Sequence, residues 1–166
     1  MASKAQLVGS IPAAITMTYK DRYLQAHKLW KMRDFAQIVQ DGFYCPPKIP
    51  KVATANGLTN FIVNFTDWMG YHANRISSTG RFIKSENKFD GGVFIPGTTK
   101  KGTADVMCVI NGHAIMIEVK VGRDRPSEAQ LNQQRKVRLA GGVYEFVSTP
   151  DEYLAIFDKY ATLLQK

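Results

Sequence analysis

The pair Asn111-Gly112 sits between the apolar run Val106–Ile110 and the β-branched stretch 114–121, and it constrains the fold more than any other part of the chain. A two-residue turn of this kind needs left-handed backbone at both central positions, which Asn and Gly tolerate, and it joins antiparallel strands tightly. Counting outward from the turn sets Val106 against Ile117 and Asp105 against Glu118. Side chains alternate faces along a strand, so Ala114, Met116, Glu118 and Lys120 share one side.

That register brings two carboxylates together. Opposed residues on one face have Cβ atoms about 4.5–5.5 Å apart, and like charges so placed are destabilising unless a cation answers them. Lys120 is one candidate for that cation. Mg²⁺, or Mn²⁺ in its place, is the other, because one or two carboxylates are an ordinary protein contribution to a magnesium site. Phosphodiester hydrolysis requires a positioned water, a route for its proton and stabilisation of the charge that develops on phosphorus. A divalent cation held by Asp105 and Glu118, with the Lys120 ammonium beside it, meets those needs. The competing reading is that Glu118 and Lys120 only solvate one face of an apolar strand.

The remaining pattern supplies elements to pack around the hairpin. Leu58, Phe61, Ile62, Phe65, Trp68 and Met69 follow helical spacing, with Gly70 as the stop. Residues 71 to about 82 read as extended, and a stretch with Gly80, Gly91, Gly92, Pro96, Gly97 and Gly102 must contain turns. Ser127 caps a helix over about 128–140 that Gly141-Gly142 ends, and residues 143–147 form a further strand. Thr149 and Glu152 make a capping box for a last helix with Pro150 in its first turn, whose apolar face is Tyr153, Ile156, Phe157, Tyr160, Leu163 and Leu164. Upstream, residues 19–40 suit a helix with Leu29, Met32, Ala36 and Val39 turned inward, stopped by Gly42 and Pro46-Pro47; residues 1–17 read as a loose arm. The order of helix, helix, three strands, helix, strand and helix predicts an α/β (α+β) fold, a central sheet flanked by helices. At 166 residues it packs as a single domain, with a basic arm and accessory helix over 1–52 and the core over 53–166.

Lys and Arg number 22 against 14 Asp and Glu, a formal charge of +8 that attracts polyanions. The first 51 residues hold eight of the basic residues and three Asp. Lys28, Lys31 and Arg33 on the first helix are candidate phosphate contacts, or else its solvated face. Arg75, Lys100, Lys101, Arg123 and Arg125 are better electrostatic candidates than the isolated His72 and His113, because backbone contacts position nucleic acid before its bases are reached. Residues 2–14 are interrupted by Lys4, Gln6, Ser10 and Pro12, so no secretory leader is indicated, and no apolar run is long enough to span a membrane. Cys45 and Cys108 lack any CxxC or Cys/His neighbour, which argues against a disulfide scaffold or structural zinc and suits a reducing compartment.

An ordered series then stands out: Asn74-Arg75, Gly102-Thr103-Ala104-Asp105, Ile117-Glu118-Val119-Lys120, Ser127-Glu128-Ala129-Gln130 and Ala140-Gly141-Gly142-Val143-Tyr144. In order and interval it resembles the PD-(D/E)XK nuclease superfamily, most closely the virus-type replication-repair nuclease (VRR-NUC) domains, over roughly residues 58–157. The resemblance implies a restriction-endonuclease-like mixed sheet and a metal-dependent DNA endonuclease acting on DNA, branched or structured DNA included. It implies Asp105 and Glu118 as metal ligands, the Val119 carbonyl as a further ligand, Lys120 as the catalytic lysine and Gln130 as a helix residue facing the site. Gln134 is a supporting residue one turn later, and Asn60 supports the site from the helix before the sheet. Gln130 also fits a simpler role, reaching back to the Ser127 cap. A homodimer, and an intracellular setting in cytoplasm, nucleoid or nucleus, or in host cytoplasm for a viral protein, follow by the same analogy. Two departures are evident. The helix before the sheet offers Asn56, Asn60 and Asn64 where the family often has a glutamate, and Ala104 replaces the usual proline before the aspartate. Losing an anionic ligand weakens the hold on a second cation, so a binding module without turnover stays open, as does a structural or assembly protein.

Overall fold

A computed structural model describes residues 17–76, 81–83, 93–95 and 100–162. Their elements are α1 (Tyr19–Asp34), α2 (Ala36–Gln40), α3 (Ala55–Trp68), β1 (His72–Arg75), β2 (Arg81–Ile83), β3 (Val93–Ile95), β4 (Val106–Ile110), β5 (His113–Val119), α4 (Glu128–Leu139), β6 (Val143–Val147) and α5 (Pro150–Ala161). Four strands form a mixed sheet in the order β1-β4-β5-β6, and β2 and β3 pair separately. The β1/β4 and β4/β5 pairs are antiparallel, while β5 and β6 run parallel with α4 as the crossover. The fold is thus a mixed α/β arrangement with helices flanking the sheet.

The hairpin has the expected register: Val106 lies opposite Ile117 and Ile110 opposite His113. Asn111 and Gly112 have φ of 47° and 79°, the left-handed values that a tight two-residue turn demands. The Asn111 amide also donates to the carbonyls of Tyr160 and Ala161, at 2.9 and 2.8 Å, tying the turn to the end of α5. Ile115, Ile117 and Val119 face the core, where they meet Leu58, Phe61, Ile62 and Phe65 of α3 and Tyr153, Leu154 and Phe157 of α5, all buried. Burying a side chain of this size contributes roughly 1.5–3 kcal/mol. The opposite face of β5 carries Glu118, with Lys120 just past the strand's end, and Gln130 in the first turn of α4 reaches Glu118.

The helix caps read from sequence are present. Ser127 and Gln130 form a full capping box on α4. Gly141 and Gly142 close its end by donating to Arg138 and Val137, the paired bonds of a Schellman motif. Thr149 accepts from Glu152 N–H at α5, but the Glu152 carboxylate goes to the Ser148 N–H, one residue earlier than a capping box requires.

Three expectations need correcting. The first helix breaks at Phe35, whose backbone (φ −139°, ψ 44°) is not helical, so α1 and α2 replace one continuous helix. Its buried residues are Tyr23, Ala26 and His27, packed on Phe61 and Trp68 of α3, whereas Leu29 and Met32 are 37% and 50% exposed. Asp105 is a bend just before β4 rather than its first residue, and β5 ends at Val119. Residues 1–16, Gly80, Gly91, Gly92, Pro96, Gly97, Leu163 and Leu164 lie outside the described residues. Among those described, no helix is long and apolar enough to cross a membrane.

Candidate active site

The bend at Asp105 is held from two sides. Its carbonyl accepts from Ile76 N–H at 2.7 Å, and its carboxylate Oδ2 accepts from Val119 N–H at 3.0 Å. Glu118 stands beside it on β5, 4% exposed, and Lys120, 9% exposed, follows one period later with its N–H on the Val147 carbonyl at 2.8 Å. The Lys120 ammonium is 3.0 Å from Glu118 Oε1 and 3.2 Å from Asp124 Oδ2. Gln130 donates through Nε2 to the same Glu118 Oε1 while its Oε1 accepts from Ser127 N–H at 2.8 Å. Both roles foreseen for Gln130 therefore coexist, because the amide has a donor end and an acceptor end.

Two local features draw these pieces together. Gly102 has φ +82°, and a Cβ there would lie 2.4 Å from the Ala129 carbonyl oxygen, so only glycine lets the turn before Asp105 press against α4. The Gly102 carbonyl also accepts from the Tyr144 hydroxyl at 3.0 Å, and that hydroxyl lies 3.5 Å from Glu118 Oε2. The parallel crossover brings these groups together, since β6 sets Tyr144 opposite Met116, two residues before Glu118.

Burial pushes the Glu118 carboxyl above its ordinary range; the Lys120 hydrogen bond opposes that shift and the negative charge of Asp105 adds to it. For Lys120, burial pulls downward, but the bonds to Glu118 and Asp124 outweigh it and the net shift is upward. The Tyr144 hydroxyl is raised by burial and by the neighbouring Glu118 charge, and is a neutral donor. The result is a protonated lysine beside a buried glutamate at the end of the hairpin.

The other sequence candidates divide. Val119 is buried on the core face, so its backbone alone is available to the site. Gln134 donates to the Tyr144 carbonyl at 3.0 Å, supporting the strand that carries Tyr144 rather than meeting Glu118. Asn60 is exposed on α3 and, among the described residues, makes no hydrogen bond to Asp105, Glu118 or Lys120. Of its two neighbours in spacing, Asn56 holds Arg75 at 2.7 Å and Asn64 holds the Tyr23 hydroxyl at 3.0 Å. Lys100, Lys101, Arg123 and Arg125 are exposed in the two loops that meet the start of α4. Lys28 is exposed on α1; Lys31 lies over the Trp30 and Phe35 rings, and Arg33 pairs with Asp34.

Two participants escaped the sequence reading. Asp124 is four residues beyond Lys120, a spacing that signals a pair on a helix but nothing definite in a loop. Tyr144 belongs to a motif already noted, yet only the parallel pairing of β6 reveals that its hydroxyl turns toward Glu118. Among the described residues no group of three or more His, Cys, Asp or Glu side chains is arranged to hold a metal ion. The donor set is two carboxylates, Asp105 and Glu118, each with one oxygen engaged by a close donor and the other less committed. That set fits a single Mg²⁺, which keeps much of its water shell. No family profile, curated protein or solved structure matches the chain.

Proposed function

We propose that the chain is a divalent-metal-dependent endonuclease that hydrolyses DNA phosphodiester bonds. The observation that carries the reading is the junction of Asp105 and Glu118 at the end of a tight hairpin, with the Lys120 ammonium 3.0 Å from Glu118. Asp105 and Glu118 would hold Mg²⁺ or Mn²⁺ with help from the Val119 backbone carbonyl. When bound, that cation supplies charge neutralisation at the phosphate and acidifies water. Gln130 fixes the Glu118 carboxylate, with the Tyr144 hydroxyl close by, and Lys120 directs a positive charge at the place where phosphate negative charge grows. Lys100, Lys101, Arg123 and Arg125 draw the backbone in. Action on branched DNA, a homodimer with paired sites and an intracellular setting belong to the same reading.

One observation favours a second reading, a nucleic-acid-binding module without turnover: among the described residues no third His, Cys, Asp or Glu side chain joins Asp105 and Glu118 to complete a metal site. A paired assay separates the two, measuring metal binding and cleavage of linear and branched DNA in Mg²⁺ or Mn²⁺ with folded protein. Glu118→Gln should weaken metal binding and abolish cleavage while DNA binding persists. Lys120→Ala should keep more metal affinity and slow cleavage by roughly 3 kcal/mol, about a hundredfold. Wild type that binds DNA and never cuts supports the binding module; cleavage by Glu118→Gln equal to wild type removes the assigned site.

A further inference from the structure

Lys120 is nine-tenths buried, yet one of its two carboxylate partners is not. Glu118 is 5% exposed at its side chain, whereas Asp124 is 55% exposed and still reaches the ammonium at 3.2 Å. Asp124 sits in the loop between β5 and α4, just after Gly122 (φ +67°), and is flanked in sequence by the exposed Arg123 and Arg125. The inner side of the ammonium thus meets a buried carboxylate of the sheet, and its outer side meets a carboxylate at the rim. An ammonium has three donors and no preferred partner among anionic oxygens, so a phosphate oxygen arriving from solvent competes for the position Asp124 holds. The two arginines beside that position form no ion pair among the described residues and would favour the phosphate, while the Asp124 charge repels it.

We propose that Asp124 is an internal stand-in for a substrate phosphate: it occupies the outward donor of Lys120 in the free protein and is displaced when a DNA phosphate enters between Arg123, Arg125 and Lys120. The proposal rests on the nuclease reading for the identity of the anion, and on geometry alone for the exchange. Asp124 is then a gate on the anion site rather than a metal ligand, and removing its charge improves binding.

The test is duplex DNA affinity in EDTA for wild type, Asp124→Asn, Lys120→Gln and the double variant, with Glu128→Gln as a control for loss of a nearby exposed carboxylate on α4. Asp124→Asn should bind about threefold tighter, the scale of a half-exposed ion pair, with a log–log salt slope steeper by about one. The gain should vanish when Lys120 is already Gln. An equal gain in Glu128→Gln, a gain that survives in the Lys120→Gln background, or weaker binding by Asp124→Asn overturns the proposal. If no variant binds DNA in EDTA, the gate is judged on inorganic phosphate, and the nuclease reading is judged separately by the cleavage assay in Mg²⁺ or Mn²⁺. Millimolar phosphate should then shift the Lys120 side-chain NMR signal in Asp124→Asn more than in wild type, and equal shifts sink it.

Discussion

On α1, most of the cations are answered from within the protein. Arg22 forms a forked pair with Asp158 at 2.5 and 2.8 Å, Arg33 pairs with Asp34 at 2.9 Å, and Lys31 lies 4.6 and 4.3 Å from the centres of the Trp30 and Phe35 rings. In the two loops beside α4, Lys100, Lys101, Arg123 and Arg125 are exposed and, among the described residues, form no ion pair. Formal charge treats the two regions alike. Physical chemistry does not: a guanidinium whose charge a carboxylate already meets neutralises little of a phosphate and displaces few of the cations condensed on DNA, whereas a free one displaces them. The difference teaches that the charge open to an incoming anion is set by which basic residues the fold leaves unpaired, not by how many there are.

The largest expected effect divides the two regions by salt. Changing Lys100, Lys101, Arg123 and Arg125 together to Gln should flatten the dependence of log affinity on log salt by up to about 3.6, at roughly 0.9 for each phosphate no longer neutralised. Changing Lys28, Lys31 and Arg33 should lower it by less than a third of that, as read by fluorescence anisotropy over a salt series. Equal slopes for the two sets would break the comparison.

Stability should respond in the reverse sense. Arg22→Ala removes the forked pair with Asp158 and the guanidinium over the Phe65 ring at 5.7 Å, and should cost about 1 kcal/mol in urea unfolding. Arg123→Ala, with no such partner among the described residues, should stay within about 0.5 kcal/mol of wild type. If Arg123→Ala costs as much, the cations at the site are structural too.

The smallest effect concerns two buried bases. His27 is packed among Trp30, Tyr44 and Trp68 with the Tyr44 hydroxyl 3.2 Å from Nδ1, and desolvation, then the Lys31 charge, lower its pKa from 6.5. Lys120 is buried with two carboxylates and is raised instead. A depressed histidine contributes stability above the unfolded pKa of 6.5 that is lost as pH falls through the lower folded value. The urea midpoint should therefore decline below pH 6.5 more steeply in wild type than in His27→Gln. Parallel pH profiles would show that His27 stays solvated.

Legibility in the sequence followed how local the cause was. The hairpin register, the α3 stripe and the Ser127 and Gly141-Gly142 caps each depend on residues a few positions apart, so spacing alone revealed them. The α1 face did not yield, because Leu29 and Met32 have the right spacing while the aromatic surface of α3 selects Tyr23 and His27. Tertiary packing overrode pattern there. At the site, Glu118 and Lys120 followed from strand alternation, but Tyr144 depends on a parallel crossover and Asp124 on a loop path that no periodicity encodes.

The Gln130 side chain has one end on the Ser127 cap and the other on Glu118. Its two hydrogen bonds make fraying of a helix and loosening of a carboxylate the same event. Whenever the first turn of α4 opens, Glu118 loses a donor, and whenever that donor is captured elsewhere, the α4 cap is weakened. The amide proton of Ser127 is thereby a hydrogen-exchange reporter for the order of a buried acid on the neighbouring strand, and whatever tightens Glu118 should slow its exchange.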